Sequence, residues 1–431
     1  MKIDRLTIEG FTNIEKIELK LTHINALIAF NNYGKSNVMR AIDFGVSFIK
    51  ASPEQKMRQM GYQSAIPINK SISDKEFSLE IDGSIISGDE EVGFVYKYSF
   101  EWLRTGRSSG RKIKSEILKI KKGENPKYTT YIQRSSKGSF YLSSPTGRCD
   151  KPISIEDNNL IVNKIANFDE LFYVDIIKQL ISFDVMMIDT MQKPSSLFRT
   201  VSSQTDKSDY SLSIDEDSEV GFFVYSLMKL LPDTYELFKD TVKSLLPTIE
   251  DFNPIEINLK EHSINKSDST DIPFSLPEKF YDIRVKESYN NQETSINSIS
   301  DGSKKIFYVL AMSIGADINK IPLVMFEELE NSIHPALFQK LLITLNALCE
   351  NTKMVISSHS PYLIKYLHAE KLKIGIPNND GIAMFKSIKA SKISRISKMA
   401  SEEGVSIGDY VFSLMLDASL GDSESLNEIC S

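Results

Sequence analysis

An eight-residue segment, AFNNYGKS at positions 29–36, constrains this chain more than any other part of its sequence. The apolar run before it, residues 24–29, has the length of a buried strand, and after it Val38, Ala41 and Ile42 recur at helical spacing. Strand, tight loop and helix in this order are what a phosphate-binding P-loop requires, with the pattern G-x-x-x-x-G-K-[ST]. An ordinary strand–turn–helix that contains Gly-Lys-Ser by chance is the alternative, and the segment alone leaves both open.

Several side chains of the segment have a predicted part in phosphate binding. Amide groups of such a loop and of the helix N-terminus point at phosphate oxygens, Lys35 reaches the β- and γ-phosphates, and the Ser36 hydroxyl binds Mg²⁺. Asn31 and Asn32 stand where such loops often have glycine, and asparagine tolerates positive φ. Ala29 replaces the first glycine of the pattern, so we expect its Cβ to strain the turn.

Two strands in the second half of the chain run into reactive side chains. Residues 321–326 are mostly apolar and lead to Glu327 and Glu328. Carboxylates at the end of a buried strand hold the Mg²⁺ shell and orient an attacking water. Residues 354–358 form another short strand that leads to His359. A core strand that meets solvent at its charged end is the alternative for residues 321–328.

A predicted helix start precedes both of these strands. Residues 299–305 read ISDGSKK and are followed by an apolar run of helical length. Ser300 and Gly302 are therefore expected at a helix N-terminus, which is an anion-binding position. A simple helix cap explains this segment equally well when it is taken alone.

Together and in this order, the four elements resemble the head of ABC-type ATPases, and more narrowly the SMC-like ATPases of the AAA-21 and OLD (overcoming lysogenization defect) group. The residues that carry the resemblance are Asn31, Gly34, Lys35, Ser36 and Asn37, then Ser300 and Gly302, then Glu327, Glu328, Glu330, His334 and Pro335, and finally Ser358, His359, Ser360 and Pro361. Ala29, Tyr33 and Leu329 depart from the family pattern, which bears on the rate of turnover rather than on nucleotide binding.

The resemblance implies an α/β fold: an ABC-type P-loop ATPase head with a mixed or parallel sheet, flanking helices and an antiparallel β subdomain, together with a mainly helical insertion. It implies ATP and Mg²⁺ as cofactors. The nucleotide-binding residues that it implies are Asn31, Asn32, Gly34, Lys35, Ser36, Asn37, Ser300 and Gly302. Ser36 and Glu327 would bind the metal, Glu328 would be the catalytic carboxylate, and His359 would sense the γ-phosphate.

The resemblance also implies partners. In such heads the signature residues, here Ser300 and Gly302, cap ATP bound to a second subunit, so a homodimer or higher homo-oligomer with two composite sites is expected. The segment after His359 is too short for the TOPRIM-type nuclease domain of OLD proteins. The chain therefore resembles stand-alone ATPase subunits that work with a separate effector, a nuclease or toxin, in bacterial anti-phage systems.

The chain is expected to have three parts. Residues 1–105 would form an N-terminal ATPase lobe with the P-loop, residues 106–275 an insertion, and residues 276–431 a C-terminal lobe with the signature, the double glutamate and the switch histidine. The insertion would begin with a β-hairpin region and continue as a helical subdomain, with a mobile loop near residues 202–218.

The middle of the chain changes character along its length. Alternating apolar residues within 76–142 predict antiparallel strands, and helical patterns follow, best over residues 168–183 and 220–246. Sustained heptads are absent, so the long coiled-coil arms of true SMC proteins are not expected.

Charge gives the chain no general attraction to nucleic acid, because 51 lysine and arginine residues stand against 58 acidic ones, for a net charge of −7. A local basic patch is predicted at a hairpin tip, and its residues are Arg104, Arg107, Arg111, Lys112 and Lys114. One interpretation is a finger that contacts DNA phosphates. The other is a solvated hairpin whose lysines protect a sheet edge against aggregation.

Cysteine and apolar content bear on the compartment. Cys149, Cys349 and Cys430 form neither a disulfide framework nor a CxxC motif, which fits a reducing, cytoplasmic location. No histidine pairs with a cysteine at a zinc-like spacing. Neither a signal peptide nor a run of about 18 apolar residues is visible, so no membrane association is expected.

Three functions are compatible with these features. The first is an ATP-hydrolysing switch that oligomerises and controls a separate effector in anti-phage defence. The second is a nucleotide-dependent scaffold with little turnover, which Ala29 and Tyr33 suggest. The third is a DNA-repair ATPase that clamps DNA, and it predicts that duplex DNA stimulates hydrolysis.

Overall fold

The computed structural model describes residues 1–88, 90–104, 112–123, 127–189, 210–214, 219–258, 279–368, 371–376 and 380–430. The chain divides into two compact units. The first unit contains Met1–Met187, Ile321–Phe326 and Lys353–Ser431, and the second contains Ile188–Lys320 and Glu327–Thr352. The three-part division by motif has other boundaries and stays a prediction.

The strands are β1 (Lys2–Phe11), β2 (Ile14–Lys20), β3 (Ile24–Ile28), β4 (Phe77–Ser87), β5 (Glu90–Phe100), β6 (Ile113–Lys121), β7 (Thr129–Ser135), β8 (Gly138–Tyr141), β9 (Lys151–Pro152), β10 (Val185–Ile188), β11 (Ile249–Asn258), β12 (Lys279–Glu287), β13 (Thr294–Ser295), β14 (Leu323–Glu327), β15 (Lys353–Ser358), β16 (Leu372–Gly375) and β17 (Phe385–Ser387). The helices are α1 (Lys35–Lys50), α2 (Pro53–Met60), α3 (Ile161–Ile165), α4 (Val174–Ser182), α5 (Val220–Leu230), α6 (Pro232–Leu245), α7 (Asp301–Ile318), α8 (Pro335–Leu348), α9 (Pro361–Tyr366), α10 (Ile393–Glu402), α11 (Ile407–Ser419) and α12 (Glu424–Ile429).

An antiparallel sheet of eight strands forms one layer of the first unit, in the order β2-β1-β4-β5-β6-β7-β8-β9. In β5 every second residue from Val92 to Phe100 is buried, as the alternating pattern predicts. Strand β6 continues the same sheet, because Phe94 lies opposite Ile120 in the β5–β6 register. The antiparallel strands expected within residues 76–142 are confirmed.

Aromatic side chains hold α1, the helix after the P-loop, against this sheet. The Phe48 ring stacks on Tyr98 and Phe100, with centroids 5.2 and 4.7 Å apart. The Tyr98 hydroxyl donates to the carbonyl of Gly45 over 2.7 Å, and Gly45 lies one helical turn before Phe48 in α1. Aromatic pairs add about 0.5–1.5 kcal/mol each beyond their buried area. The helix that carries the P-loop at its N-terminus is therefore firmly positioned.

The second sheet of the first unit has six strands in the order β10-β14-β15-β3-β16-β17. Its central strand, β3, pairs in parallel with β15 on one side and with β16 on the other. All five residues of β3 are buried, which is typical of a parallel strand covered on both faces. Since carboxyl ends of parallel strands meet at one edge, the segments after β3, β15 and β16 leave the sheet together.

The second unit packs helices on a small antiparallel sheet, β11-β12-β13. Its core includes Phe238 of α6, Phe252 of β11 and Phe307 of α7, whose rings meet edge to face at centroid distances from 4.9 to 5.7 Å. The helical pattern over residues 220–246 proves to be two helices. Pro232 starts α6 and disfavours helical geometry at Leu231, whose φ and ψ are −135° and 69°.

Other expectations about the middle of the chain have mixed outcomes. The helical pattern over residues 168–183 yields only α4, which begins at Val174. Of the loop predicted near residues 202–218, only residues 210–214 belong to the described part of the chain. None of the described helices is both long and apolar enough to span a membrane.

Candidate functional site

The P-loop begins where β3 ends and closes where α1 begins. The Ala29 amide donates to the Ser358 carbonyl over 3.2 Å, and Gly34 is the N-cap of α1 with φ of +90°. A Cβ at Gly34 would lie 2.9 Å from both Ala383 Cβ and Asn13 Oδ1. Glycine is required here for two reasons, the left-handed backbone and the close neighbours.

Asn32 supplies the second left-handed residue of the loop, with φ of +68°. Asparagine is among the side chains that adopt this region most readily, so the prediction from residue type is confirmed for Asn32, whereas Asn31 is not among the described residues with positive φ. With Gly34, the chain therefore has two left-handed residues within the four positions before α1, and these form the tight turn of the loop.

Lys35 lies inside this loop. Its side chain is buried, and Nζ donates to the carbonyl oxygens of Ala29 over 2.7 Å and of Phe30 over 3.1 Å. At the start of α1 the first helical bond runs from Val38 to Gly34, so the preceding amides have no partner inside this 16-residue helix. No acidic residue occupies its first turn. The loop thus presents an ammonium group and a positive helix end, the chemistry that binds phosphate.

The strain expected at Ala29 is absent. The non-glycine residues with positive φ in the described part of the chain are Thr12, Asn32, Lys320, Glu328 and Ser332. Ala29 is fully buried, and space for its methyl group comes from the neighbouring strand β16. A Cβ at Gly375 would lie only 2.4 Å from Ala29 Cβ. The missing glycine of the P-loop pattern is matched by a glycine on the adjacent strand.

His359 leaves the same sheet edge as the P-loop. In the parallel register Ser358, the last residue of β15, lies opposite Ile28, the last residue of β3. The Ser360 amide donates to Ser358 Oγ over 2.9 Å, and Ser360 then caps α9. This turn leaves His359 exposed directly beyond the strand. The first unit therefore brings the P-loop and His359 to one edge of the sheet.

The strand β14 is buried from Leu323 to Phe326 and ends at Glu327. The Oε1 atom of Glu327 is buried, and no described residue hydrogen-bonds it. A buried carboxylate oxygen without a donor is costly unless another partner, such as a cation, satisfies it. Carboxylate oxygens are the ligands that Mg²⁺ prefers, so this side chain fits the predicted role in metal binding.

Glu328 begins a tight turn in the second unit. Its φ is +48°, and the Asn331 amide donates to its carbonyl over 3.1 Å. The Asn331 side chain also donates to Glu328 Oε2 over 2.6 Å, which fixes the carboxylate. A left-handed glutamate is unusual, and such backbone is concentrated at functional sites. Sequence reasoning missed Asn331, although its position three residues after Glu328 suits a turn.

The signature segment starts α7. Ser300 is the N-cap, and its hydroxyl accepts from the Ser303 amide over 3.2 Å. Gly302 lies in the first turn, where a Cβ would be 2.5 Å from the Ser332 carbonyl oxygen. The predicted position of Ser300 and Gly302 at a helix N-terminus is confirmed. Glu327 and Glu328 belong to the second unit, as these two residues do.

An open cavity of about 750 Å³ adjoins the P-loop in the first unit. Asn13 and Asn37 line it, and Asn37 Nδ2 donates to Asn13 Oδ1 over 2.8 Å. Ile66, Asn69 and Asp380 contribute to its other walls. The volume is that of a small-molecule site with mixed apolar and polar lining. No sequence signal pointed to Asn13, because its role depends on contacts with residues far along the chain.

The predicted basic patch is largely neutralised where it is described. Lys112 pairs with Asp157 at 3.7 Å, and Lys114 pairs with Glu101. Arg104 donates to main-chain carbonyl oxygens, including that of Pro67. Arg107 and Arg111 lie outside the described residues.

A family model described as AAA ATPase domain matches residues 1–364. No curated protein sequence matches the chain. Among solved structures, the SmcHead bound to the C-winged helix domain of ScpA is similar, with 12% identity over 92% of this chain and 100% of that chain, and a TM-score of 0.50. This likeness concerns the fold alone.

Two further structures were matched at lower TM-scores. One is the Smc head domain with an extended coiled coil bound to the C-terminal domain of ScpA from Pyrococcus furiosus, at 12% identity, 93% and 99% coverage, and a TM-score of 0.46. The other is the SMC head domain from Thermotoga maritima, at 11% identity, 90% and 100% coverage, and a TM-score of 0.40. The family match and the SmcHead likeness give the chain an SMC head-like P-loop ATPase fold, so the predicted α/β fold class is confirmed.

Proposed function

The chain belongs to the AAA ATPase domain family, and we therefore propose that it binds ATP with Mg²⁺ and hydrolyses the bond between the β- and γ-phosphates to give ADP and phosphate. One observation carries the proposal. The parallel pairing of β3 with β15 brings the P-loop, with Lys35 buried inside it, and His359 to one edge of the sheet. Ligands of open α/β sheets bind at the carboxyl ends of the strands, which is where these groups lie.

Binding of the phosphates follows from the charges at the loop. Lys35 would exchange the carbonyl oxygens of Ala29 and Phe30 for phosphate oxygens, which accept more strongly because they are charged. Amides at the start of α1 would add donors aimed along the helix axis. We propose that the nucleoside part of ATP occupies the cavity beside Asn13 and Asn37, whose volume suits it.

We propose that the Ser36 hydroxyl and the Glu327 carboxylate hold Mg²⁺. The buried, unsatisfied Oε1 of Glu327 supports this assignment. When bound, Mg²⁺ neutralises the charge that develops on the β- and γ-phosphate oxygens. Glu328 would orient the attacking water and accept its proton, with the Asn331 amide fixing the carboxylate. His359 would contact the γ-phosphate.

We further propose that two chains pair on ATP, with Ser300 and Gly302 of each capping the nucleotide of the other. The similar SmcHead is bound to the C-winged helix domain of ScpA. In the same way, this chain would act on a separate protein, an effector nuclease or toxin in anti-phage defence. The effector and the defence role rest on the motif resemblance to AAA-21 and OLD-like ATPases.

The described residues argue against the two alternatives, the low-turnover scaffold and the DNA clamp. The low-turnover scaffold was suggested partly by strain at Ala29, but Gly375 leaves room for the Ala29 methyl group. The DNA clamp needs positive charge at the hairpin, yet Lys112 and Lys114 are paired with carboxylates. Direct DNA contact stays a prediction, which stimulation of hydrolysis by duplex DNA would test.

Glu328→Gln tests the proposed function. The general base contributes about 10²–10⁴-fold in such reactions, so phosphate release should fall roughly 100-fold or more while ATP affinity is retained. Steady-state phosphate release, fluorescent-nucleotide titration and light scattering would measure turnover, affinity and accumulation of the ATP-bound dimer. Glu293→Gln, an exposed glutamate of the second unit, is the matched control. Wild-type turnover in Glu328→Gln would show that the catalytic carboxylate is another residue.

A further inference from the structure

Lys305 is a fully buried lysine in the signature helix α7. Its Nζ donates to the carbonyl oxygen of Glu328 over 2.8 Å and to that of Asn331 over 3.0 Å. Lysine is almost never fully buried without such partners. Burial lowers the pKa of Lys305 to about 8, against the charges of Glu330 and Glu328, which raise it. The ammonium group of Lys305 therefore lies in the interior, where two main-chain oxygens accept its hydrogen bonds.

These two oxygens belong to the first and last residues of the turn that presents the catalytic carboxylate. Glu328 has its backbone in the left-handed region, which disfavours a side chain with a Cβ, and its carbonyl already accepts from the Asn331 amide. Lys305 supplies a second donor to that carbonyl and ties it to the carbonyl of Asn331. Asn331 in turn holds the Glu328 carboxylate through Oε2. A continuous chain of contacts runs from Lys305 to the carboxylate.

The same helix touches the turn at a second point. Gly302, three residues before Lys305 and on the same helix face, lies flush against the carbonyl of Ser332. Ser332 also has positive φ, at +66°. One face of α7 therefore holds the turn through Lys305 and contacts the residue after it, Ser332, at Gly302, and both contacts lie within the second unit.

We propose that Lys305 is a positioning residue, which holds the Glu328 turn in its left-handed conformation and so aims the catalytic carboxylate. Because Lys305 and the signature residues Ser300 and Gly302 share one helix, a shift of α7 on contact with a second nucleotide would move the carboxylate with it. This inference rests on the proposed function, since it assumes that Glu328 is the general base.

Lys305→Met tests the proposal, because methionine keeps most of the side-chain volume and removes the donor. We expect turnover to fall about 10- to 100-fold, as misplacement of a catalytic group by about 1 Å does, with ATP affinity unchanged. In the Glu328→Gln background the same substitution should cause no further loss, since it acts through that carboxylate.

Lys56→Met is the matched control. Lys56 is also fully buried and donates to main-chain carbonyl oxygens, those of Ile49 and Ala51, and burial likewise lowers its pKa to about 8. It lies in the first unit, and the described hydrogen-bond partners of its Nζ, which are Ile49, Ala51 and Asn163, do not belong to the Glu328 turn. We expect Lys56→Met to lower thermal stability as Lys305→Met does, but to leave turnover at the wild-type level.

Three outcomes would overturn the inference: unchanged turnover in Lys305→Met, an equal loss of ATP affinity, or a further loss in the Glu328→Gln background. If Lys305→Met does not fold, Asn331→Ala removes the next contact in the chain and must show the same loss of turnover at unchanged affinity. Wild-type turnover in Glu328→Gln would refute the proposed function itself, whereas loss there with wild-type turnover in Lys305→Met refutes only the role of Lys305.

Discussion

The P-loop of the first unit and the Glu328 turn of the second unit are built from the same parts. Each contains a non-glycine residue with positive φ, Asn32 in one and Glu328 in the other. Each has a buried lysine whose Nζ donates to two main-chain carbonyl oxygens. They differ in where the lysine comes from. Lys35 belongs to the loop that it fills, whereas Lys305 comes from a helix 23 residues before Glu328.

The difference explains why one structure is visible in the sequence and the other is not. A loop that supplies its own ammonium group must keep lysine at a fixed spacing from its glycine, and that spacing is a motif. A turn whose lysine belongs to another element needs only that this helix packs correctly against it. The number of residues between the lysine and the turn is then not fixed, and it forms no motif. Two partners of the P-loop lysine are the loop's own carbonyl groups, which phosphate oxygens would replace under the proposed function. Lys305, in contrast, donates to main-chain oxygens of the Glu328 turn.

The largest effect is predicted for Lys35→Met, which should separate the two lysines by function. Losing one partner of a desolvated charge pair costs about 2–5 kcal/mol, so ATP affinity should fall roughly 30-fold or more. Thermal stability should fall as well, as it does for the other buried lysines, because the carbonyl oxygen of the buried Ala29 loses its donor. Fluorescent-nucleotide titration measures the affinity. Lys50→Met, at the far end of α1, is the control and should bind ATP with wild-type affinity. If Lys35→Met also bound ATP with wild-type affinity, Lys35 would not be a phosphate-binding residue and the contrast with Lys305 would be wrong.

The sequence predicts those features of the site that arise within a few residues. The buried strand before the P-loop, the helix after it, the left-handed Asn32 and the cap at Ser300 all follow from local pattern and residue type. Gly375, Asn13 and Lys305 do not, because each acts through a contact with a residue far away in the chain. The expectation of strain at Ala29 failed for the same reason: the space for its methyl group is created on another strand.

An intermediate effect is predicted for Gly375→Ala, which asks whether the P-loop also depends on a distant residue. The new Cβ would meet Ala29 Cβ at 2.4 Å, and overpacking of this kind costs about 1–3 kcal/mol. We expect lower thermal stability and weaker ATP binding, since the collision displaces the first residue of the loop. Thermal denaturation with and without ATP measures both.

The double variant Ala29→Gly/Gly375→Ala sharpens that prediction, because it exchanges the methyl group between the two strands. Its free energy of unfolding should be higher, by more than about 0.5 kcal/mol, than the value obtained by adding the effects of the two single substitutions. Independent sites deviate from additivity by no more than about this amount. It also restores glycine at the first position of the P-loop pattern. Simple additivity would mean that Gly375 and Ala29 do not share their space, and that the P-loop is as self-contained as its motif suggests.

The smallest effect is predicted for Asn32→Gly. Glycine adopts φ of +68° without steric cost, so the loop can keep its shape, and stability and ATP affinity should change by less than about 0.5 kcal/mol. Asn32→Val, which places a β-branched side chain in the left-handed region, should weaken ATP binding in the same titration. If Asn32→Gly weakened binding as much as Asn32→Val, the Asn32 side chain itself would contact the nucleotide. The loop's left-handed residue would then have a chemical role, as we propose for Glu328 in the other turn.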